Sequence, residues 1–263
     1  MYDDFETNTS YKYLQVVIKA LKEPICMLGG WAVYFQVNKN YKNIQGRDYL
    51  GSRDIDLGFH INKKWTSEQI KNSSLAQSLD ILKNKLNFKS LTFRLIKEIH
   101  VESGKEILNH EKVFPHQRFI MSVDPIVDFI PSNFKQIFGF IPIDEPLLKF
   151  VFENPKYRTK LKEFNKKLLL PKPELLLATK LKSITQRDKE DKKIKDLCDI
   201  FALLWYSGKI PRVLRNNAIK LVSQKEIKKT ISKIKDEDYK KASAQLNHSS
   251  QEIRRVIETL ALS

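Results

Sequence analysis

The sequence predicts an α/β (α+β) protein: a mixed sheet flanked by helices, followed by a mostly helical C-terminal part. Three observations carry that expectation. Through the first half, stretches with helical spacing of apolar residues are separated by short apolar or strictly alternating runs. Two adjacent glycines join one such run to a helix, in a chain with only eight glycines. Beyond about residue 145 the chain turns basic and helix-patterned, with prolines at 146, 155, 171 and 173.

YKYLQVVIKALKE (11 to 23) has helical spacing, and PICML (24 to 28) reads as a short buried strand. After the glycines, WAVYFQVN (31 to 38) resumes a helix. A polar loop leads into RDIDLGFHI (53 to 61), whose apolar positions alternate as in a half-buried strand. SSLAQSLDILKNKL (73 to 86) is an amphipathic helix, FRLIKEI (93 to 99) a strand, and VDPIVDFIP (123 to 131) another. The change of character places a domain boundary near 144, giving residues 1–144 and 145–263, although KKLLLP (166 to 171) also reads as a strand returning to the first sheet.

Lys and Arg outnumber Asp and Glu by 47 to 31, a formal charge of +16, so polyanions are plausible partners. A lysine-rich surface also serves solubility or thermal stability, and charge alone does not choose between these. MYDDFET is acidic and lacks an apolar core, so no signal peptide is expected. No apolar run approaches the roughly 20 residues that span a bilayer, so the expectation is a cytoplasmic protein without membrane attachment. Cys26 and Cys198 sit in apolar surroundings and read as buried free thiols. The histidines have no metal-ligand spacing. HEKVFPH (110 to 116) places its second histidine two positions too late for a zinc-protease helix, and Pro115 breaks the turn.

Asp54 and Asp56 alternate in a strand, so both carboxylates project from one face. Paired carboxylates repel unless a cation lies between them, and hard oxygen ligands suit Mg²⁺. Alone, such a pair is also what a solvent-facing strand shows. Asp128, between Val127 and Phe129, would be costly to bury without a partner. If its strand lies beside that of Asp54 and Asp56, three carboxylates converge on metal; otherwise it faces water. Gly29 and Gly30 at a helix N-terminus leave room for a phosphate to reach unpaired amides, and Ser52 adds a hydroxyl donor or serves the turn.

Gly-Gly opening a helix, Asp-x-Asp on the next strand and a single Asp on a later one resemble the nucleotidyltransferase superfamily of DNA polymerase beta type. GGWAV with RDIDL is also similar to the antibiotic adenylyltransferases. PELLLATKLKSITQR followed by KDLCDIFALL resembles the AbiEii/AbiGii-type toxin nucleotidyltransferases, and the matches together span about residues 25 to 205. The resemblance implies that Gly29, Gly30, Ser52, Asp54 and Asp56 belong to a nucleotide and Mg²⁺ site. It further implies that Lys180 contacts triphosphate, and that Asp196 or Asp199 is the late acidic residue of the family. Arg187 and Lys195 are weaker candidates.

The implied activity is Mg²⁺-dependent transfer of a nucleoside monophosphate from a nucleoside triphosphate to an acceptor hydroxyl. The acceptor expected is RNA, tRNA-like for the toxin pattern, with an antitoxin protein as a further partner. The GGWAV stretch keeps a small-molecule adenylyltransferase open, and a silent nucleotide- or RNA-binding module is the third reading. Trp65, Trp205 and Tyr206 are candidates to stack a base, with core packing as the commoner role.

Overall fold

A computed structural model describes residues 4–108, 111–161, 163–164 and 166–262. His110, part of the HEKVFPH stretch, lies outside the described residues. The strands are β1 (Ile25–Met27), β2 (Asp54–Phe59), β3 (Lys89–Leu91), β4 (Arg94–His100), β5 (Arg118–Val127), β6 (Ile143–Asp144), β7 (Arg158–Leu161) and β8 (Leu168–Pro171). The helices are α1 (Asp4–Ala20), α2 (Gly29–Gln45), α3 (Ser67–Lys71), α4 (Ser74–Asp80), α5 (Phe134–Phe138), α6 (Leu148–Glu153), α7 (Pro173–Ser183) and α8 (Glu190–Tyr206). Four more close the chain: α9 (Pro211–Ala218), α10 (Gln224–Ile231), α11 (Asp236–Leu246) and α12 (Ser250–Glu258). The α/β class with a helical C-terminal part is as the patterning predicts.

The chain forms two compact units. The first, Tyr2–Trp31 with Gly51–Pro171, holds the whole sheet, ordered β3-β4-β5-β2-β1-β8-β7, with β6 beside β5. It is a mixed sheet: β2 runs parallel to β5, and β1 parallel to β8, whereas β1 and β2 are antiparallel. KKLLLP supplies β8, so residues 145–171, basic as they are, fold with the sheet. The basic composition there has a local cause. Strand β7 is an edge, and its exposed Thr159 and Lys160 are the kind of polar and charged residues that discourage pairing with another chain.

Strands β2 and β4 alternate buried and half-buried positions, which is why they are legible as strands. Strand β5 is buried on nearly every residue; it starts at Arg118, earlier than predicted, and ends before Asp128. Helix α1 packs on β2 and β5 through a fully buried row that includes Leu14, Val17 and Ile18. At about 1.5–3 kcal/mol per buried aliphatic side chain, these three contribute about 5–9 kcal/mol toward the cost of ordering the helix.

The second unit comprises Ala32–Leu50 and Lys172–Ser263. Helix α8 is its centre, packed by α7, α9, α11 and α12, and buried continuously from Ile194 to Leu204. A helix enclosed on all sides must bury any polar residue it carries, so Lys195, Asp196 and Asp199 need partners inside the protein. Tyr41 of α2 packs edge-on against Tyr206 and Tyr49, with ring centroids 4.9 and 5.1 Å away. Tyr206 is thus a core residue. Trp205 lies half-exposed and stacked on Phe201. Cys26 and Cys198 are buried free thiols, each in its own unit. No helix among the described residues is long and apolar enough to cross a membrane.

Candidate functional site

The turn from β1 into α2 passes directly over Asp56. Leu28 N donates to the Asp56 carbonyl at 3.0 Å, and Gly29 adopts φ +60°. A Cβ on Gly29 would stand 1.7 Å from Asp56 Oδ2. The glycine is therefore required twice, by its left-handed backbone and by the carboxylate lying against it. Because α2 has no acidic residue in its own first turn, the strand supplies the negative group beside its positive end. Gly29→Ala is expected to displace Asp56. Unfolding in urea should show a loss of about 1–3 kcal/mol.

The parallel register sets Asp54 opposite Ser122 and Asp56 opposite Asp124. Asp54, Asp56 and Asp124 consequently share one face of the sheet. Ser122 Oγ donates to Asp54 Oδ1 at 3.0 Å. From the next strand, Arg94 Nη2 donates to Asp124 Oδ2 at 2.6 Å and stands 3.7 Å from Asp54 Oδ2. Sequence reasoning missed both Asp124 and Arg94. Burial is the main force raising the Asp124 carboxyl, to about 7; Asp56 and Asp54 add to it and Arg94 opposes it. The other oxygen, Asp124 Oδ1, is buried without a hydrogen-bond partner.

An acid whose folded pKa is raised holds its proton in the folded state when the unfolded chain has released it. Folding stability is therefore expected to fall as pH rises from about 4 to 7, with the penalty complete above that window. Thermal melts from about pH 5 to pH 8 should show this loss, and Asp124→Asn should flatten it.

Asp128 does not join the carboxylate pair. It lies just past β5, four residues beyond Asp124, and the register carries it to the other end of β2. There Asp128 Oδ2 meets His60 Nδ1 at 2.5 Å, and Oδ1 accepts from Ile61 N at 2.8 Å. The expectation that Asp128 completes the metal site is corrected by register: Asp124, not Asp128, faces Asp56. The buried acid does have the partner that its burial demands, and that partner is a histidine. Ser52 is buried on the approach to β2.

Lys180, Asp196 and Asp199 form a network inside the helical unit. Lys180 Nζ lies 2.6 Å from Asp196 Oδ1 and 2.7 Å from Asp199 Oδ2. Asp196 also accepts from Ser183 Oγ at 3.0 Å and Arg187 Nε at 2.6 Å. Asp199 accepts from Lys195 Nζ at 2.5 Å and the Tyr49 hydroxyl at 2.8 Å. Burial alone would lower the Lys180 pKa, yet the two carboxylates raise it; burial would raise Asp196, yet Lys180 and Arg187 hold it low. Lys180 and Asp196 are thereby held in their ionised forms.

No family model matches the chain, and no curated protein matches it. Among solved structures it is similar to the crystal structure of an antigenic nucleotidyltransferase-like protein from Paracoccidioides brasiliensis. The two are 16% identical, over 94% of this chain and 98% of that one, with a TM-score of 0.37. So distant a likeness leaves the reading of the site to its own geometry.

Proposed function

We propose that the protein is a Mg²⁺-dependent nucleotidyltransferase that moves a nucleoside monophosphate from a nucleoside triphosphate to a hydroxyl of RNA. One observation supports this above the others. Asp54, Asp56 and Asp124 share a sheet face beside the opening of α2, and one buried carboxylate oxygen there has no partner. Among the described residues, no three His, Cys, Asp or Glu side chains are gathered so as to hold a metal ion as they stand. Arg94, bonded to Asp124 and near Asp54, supplies the positive charge meanwhile. The donor set nevertheless fits a hard dication: three carboxylates, one of them with an oxygen that lacks a hydrogen-bond partner.

Asp54, Asp56 and Asp124 would hold Mg²⁺, which supplies charge neutralisation to the triphosphate. The amides opening α2 at Gly29 and Gly30 are placed to receive phosphate oxygens. The acceptor oxygen forms its bond to the α-phosphorus as the bond to pyrophosphate breaks. An ionised carboxylate of this face would take the acceptor proton. Through the family resemblance, an antitoxin enters the proposal as a partner; Lys180, Asp196 and Asp199, expected from the same resemblance to bind nucleotide, are buried and bonded to one another inside the helical unit.

RNA as acceptor is supported by the charge of +16. The GGWAV stretch keeps a small-molecule acceptor as the second reading; its Trp31 is buried, with Nε1 donating to Ser10 Oγ at 3.1 Å and the ring packed on Tyr11. The test is incubation with Mg²⁺, each labelled nucleoside triphosphate and total RNA, beside Asp54→Asn. Label in RNA that disappears in the variant is the expected result. Label confined to small metabolites would favour the second acceptor, and no label under any condition a silent binding module.

A further inference from the structure

At the far end of β2 from the carboxylates lies a cleft of about 650 Å³ within the sheet unit. Four residues of extended strand separate its His60 from Asp56, roughly 13 Å. That volume lies in the range of small-molecule sites. Its lining combines two chemistries.

The first is aromatic. His60 stacks on Phe152 at 5.6 Å with the ring planes 28° apart, and meets Trp65 edge-on at 6.0 Å. Asp128 fixes the imidazole through Nδ1, while Asp128 itself is held by the Ile61 amide. That leaves His60 Nε2, on a ring lining the cleft, without a protein partner among the described residues. Trp65 is only partly buried and lines the same cleft.

The second is cationic. Arg158 and Lys160 alternate along β7, so they share one face. Lys167 joins them from the residue before β8. Arg158 is held in place by Nη1, which donates to the carbonyls of Val151 and Phe152 at 2.6 and 2.5 Å; its remaining N–H groups have no protein partner among the described residues. Neither lysine ammonium has a carboxylate partner there. The one acid in the lining, Glu23, accepts from the Lys167 amide at 2.8 Å. Three cations facing one acid, beside an aromatic platform, match a planar base that carries a phosphate.

We infer that this cleft binds a nucleoside phosphate, with the base against Trp65 and His60 and the phosphate against Arg158, Lys160 and Lys167. The inference does not depend on nucleotidyl transfer at Asp54 and Asp56, and the site is separate from it. Two sources present this chemistry: a free nucleotide, or one residue of a single-stranded RNA.

Tryptophan fluorescence tests it on the full chain. Nucleoside monophosphates and short single-stranded oligoribonucleotides are titrated into wild type, Asp56→Asn and the double variant Lys160→Glu/Lys167→Glu. Both lysines are exposed, so the double variant should fold normally. The expected result is quenching in wild type and Asp56→Asn alike, with affinity at least tenfold weaker in the double variant. Trp65→Phe should abolish the quench while still binding in competition with labelled oligonucleotide. Tighter binding of oligonucleotides assigns the cleft to an RNA strand, and equal binding assigns it to free nucleotide. The inference is overturned by any of three results: no quenching at millimolar ligand, quenching lost in Asp56→Asn but kept in the double variant, or inorganic phosphate competing as well as the nucleotide.

Discussion

Under the proposed activity, Asp56→Asn is expected to lower nucleotide transfer to RNA by at least about 100-fold while leaving the melting temperature nearly unchanged. The substitution keeps the shape of the side chain, so Gly29 can still pass over it, and removes only the charge. A carboxylate lost from a preorganised charge-stabilising set costs on the order of 10²–10³ in turnover. Stability is spared because the removed charge belongs to one of three acids that crowd a single sheet face, where Arg94 bonds Asp124 and stands near Asp54. Relief of that repulsion should also let the Asp124 carboxyl fall back, since Asp56 is the largest charge raising it. Transfer measured beside a urea denaturation curve checks both halves. Equal loss of activity and stability would show that Asp56 serves the fold.

Lys180→Met is expected to be the most destabilising single change in the helical unit, by about 3–5 kcal/mol in urea unfolding. Methionine fills much of the space, so the loss is electrostatic. Lys180 is the only cation bonded to both Asp196 and Asp199 among the described residues, and both acids are almost wholly buried. Lys195 and Arg187 would remain, one for each acid. Each carboxylate would then have lost a bond that its burial makes expensive. Lys193→Met removes a partner of Asp238 where the lysine side chain is 24% exposed, and should cost far less. If the two variants unfold alike, the buried network is not what holds α7 to α8.

The strands carrying Asp54, Asp56 and Arg94 are legible because each buries alternate residues, and a period of two survives in a sequence. Strand β5 is buried on almost every residue, so its alternation is erased and its ends are not marked. That is how Asp128 came to look like the third acid. It stands out locally, between Val127 and Phe129, whereas Asp124 is selected by pairing with a strand 68 residues earlier. Register is a long-range property that no local pattern encodes. One signal was present: Ser-x-Asp occurs at Ser52 and Asp54 and again at Ser122 and Asp124. Arg94 opens its strand, where a charged residue is usual, and nothing local marks it as the partner of two acids. The network around Lys180 was half legible. The spacing of Asp196 and Asp199 puts both on one helical face, but only the tertiary fold shows how completely that face is enclosed.

Arg94 makes the acidic cluster partly self-sufficient. A pocket furnished with its own counter-ion can fold without a dication, and under the proposed function loading would be an exchange in which the guanidinium yields to the metal. Each 1.4 kcal/mol holding Arg94 in place raises the concentration needed for half-loading about tenfold. Under the proposed function, such a built-in competitor would give the site a threshold, idle when free magnesium nucleotide is scarce and loaded only when it is abundant.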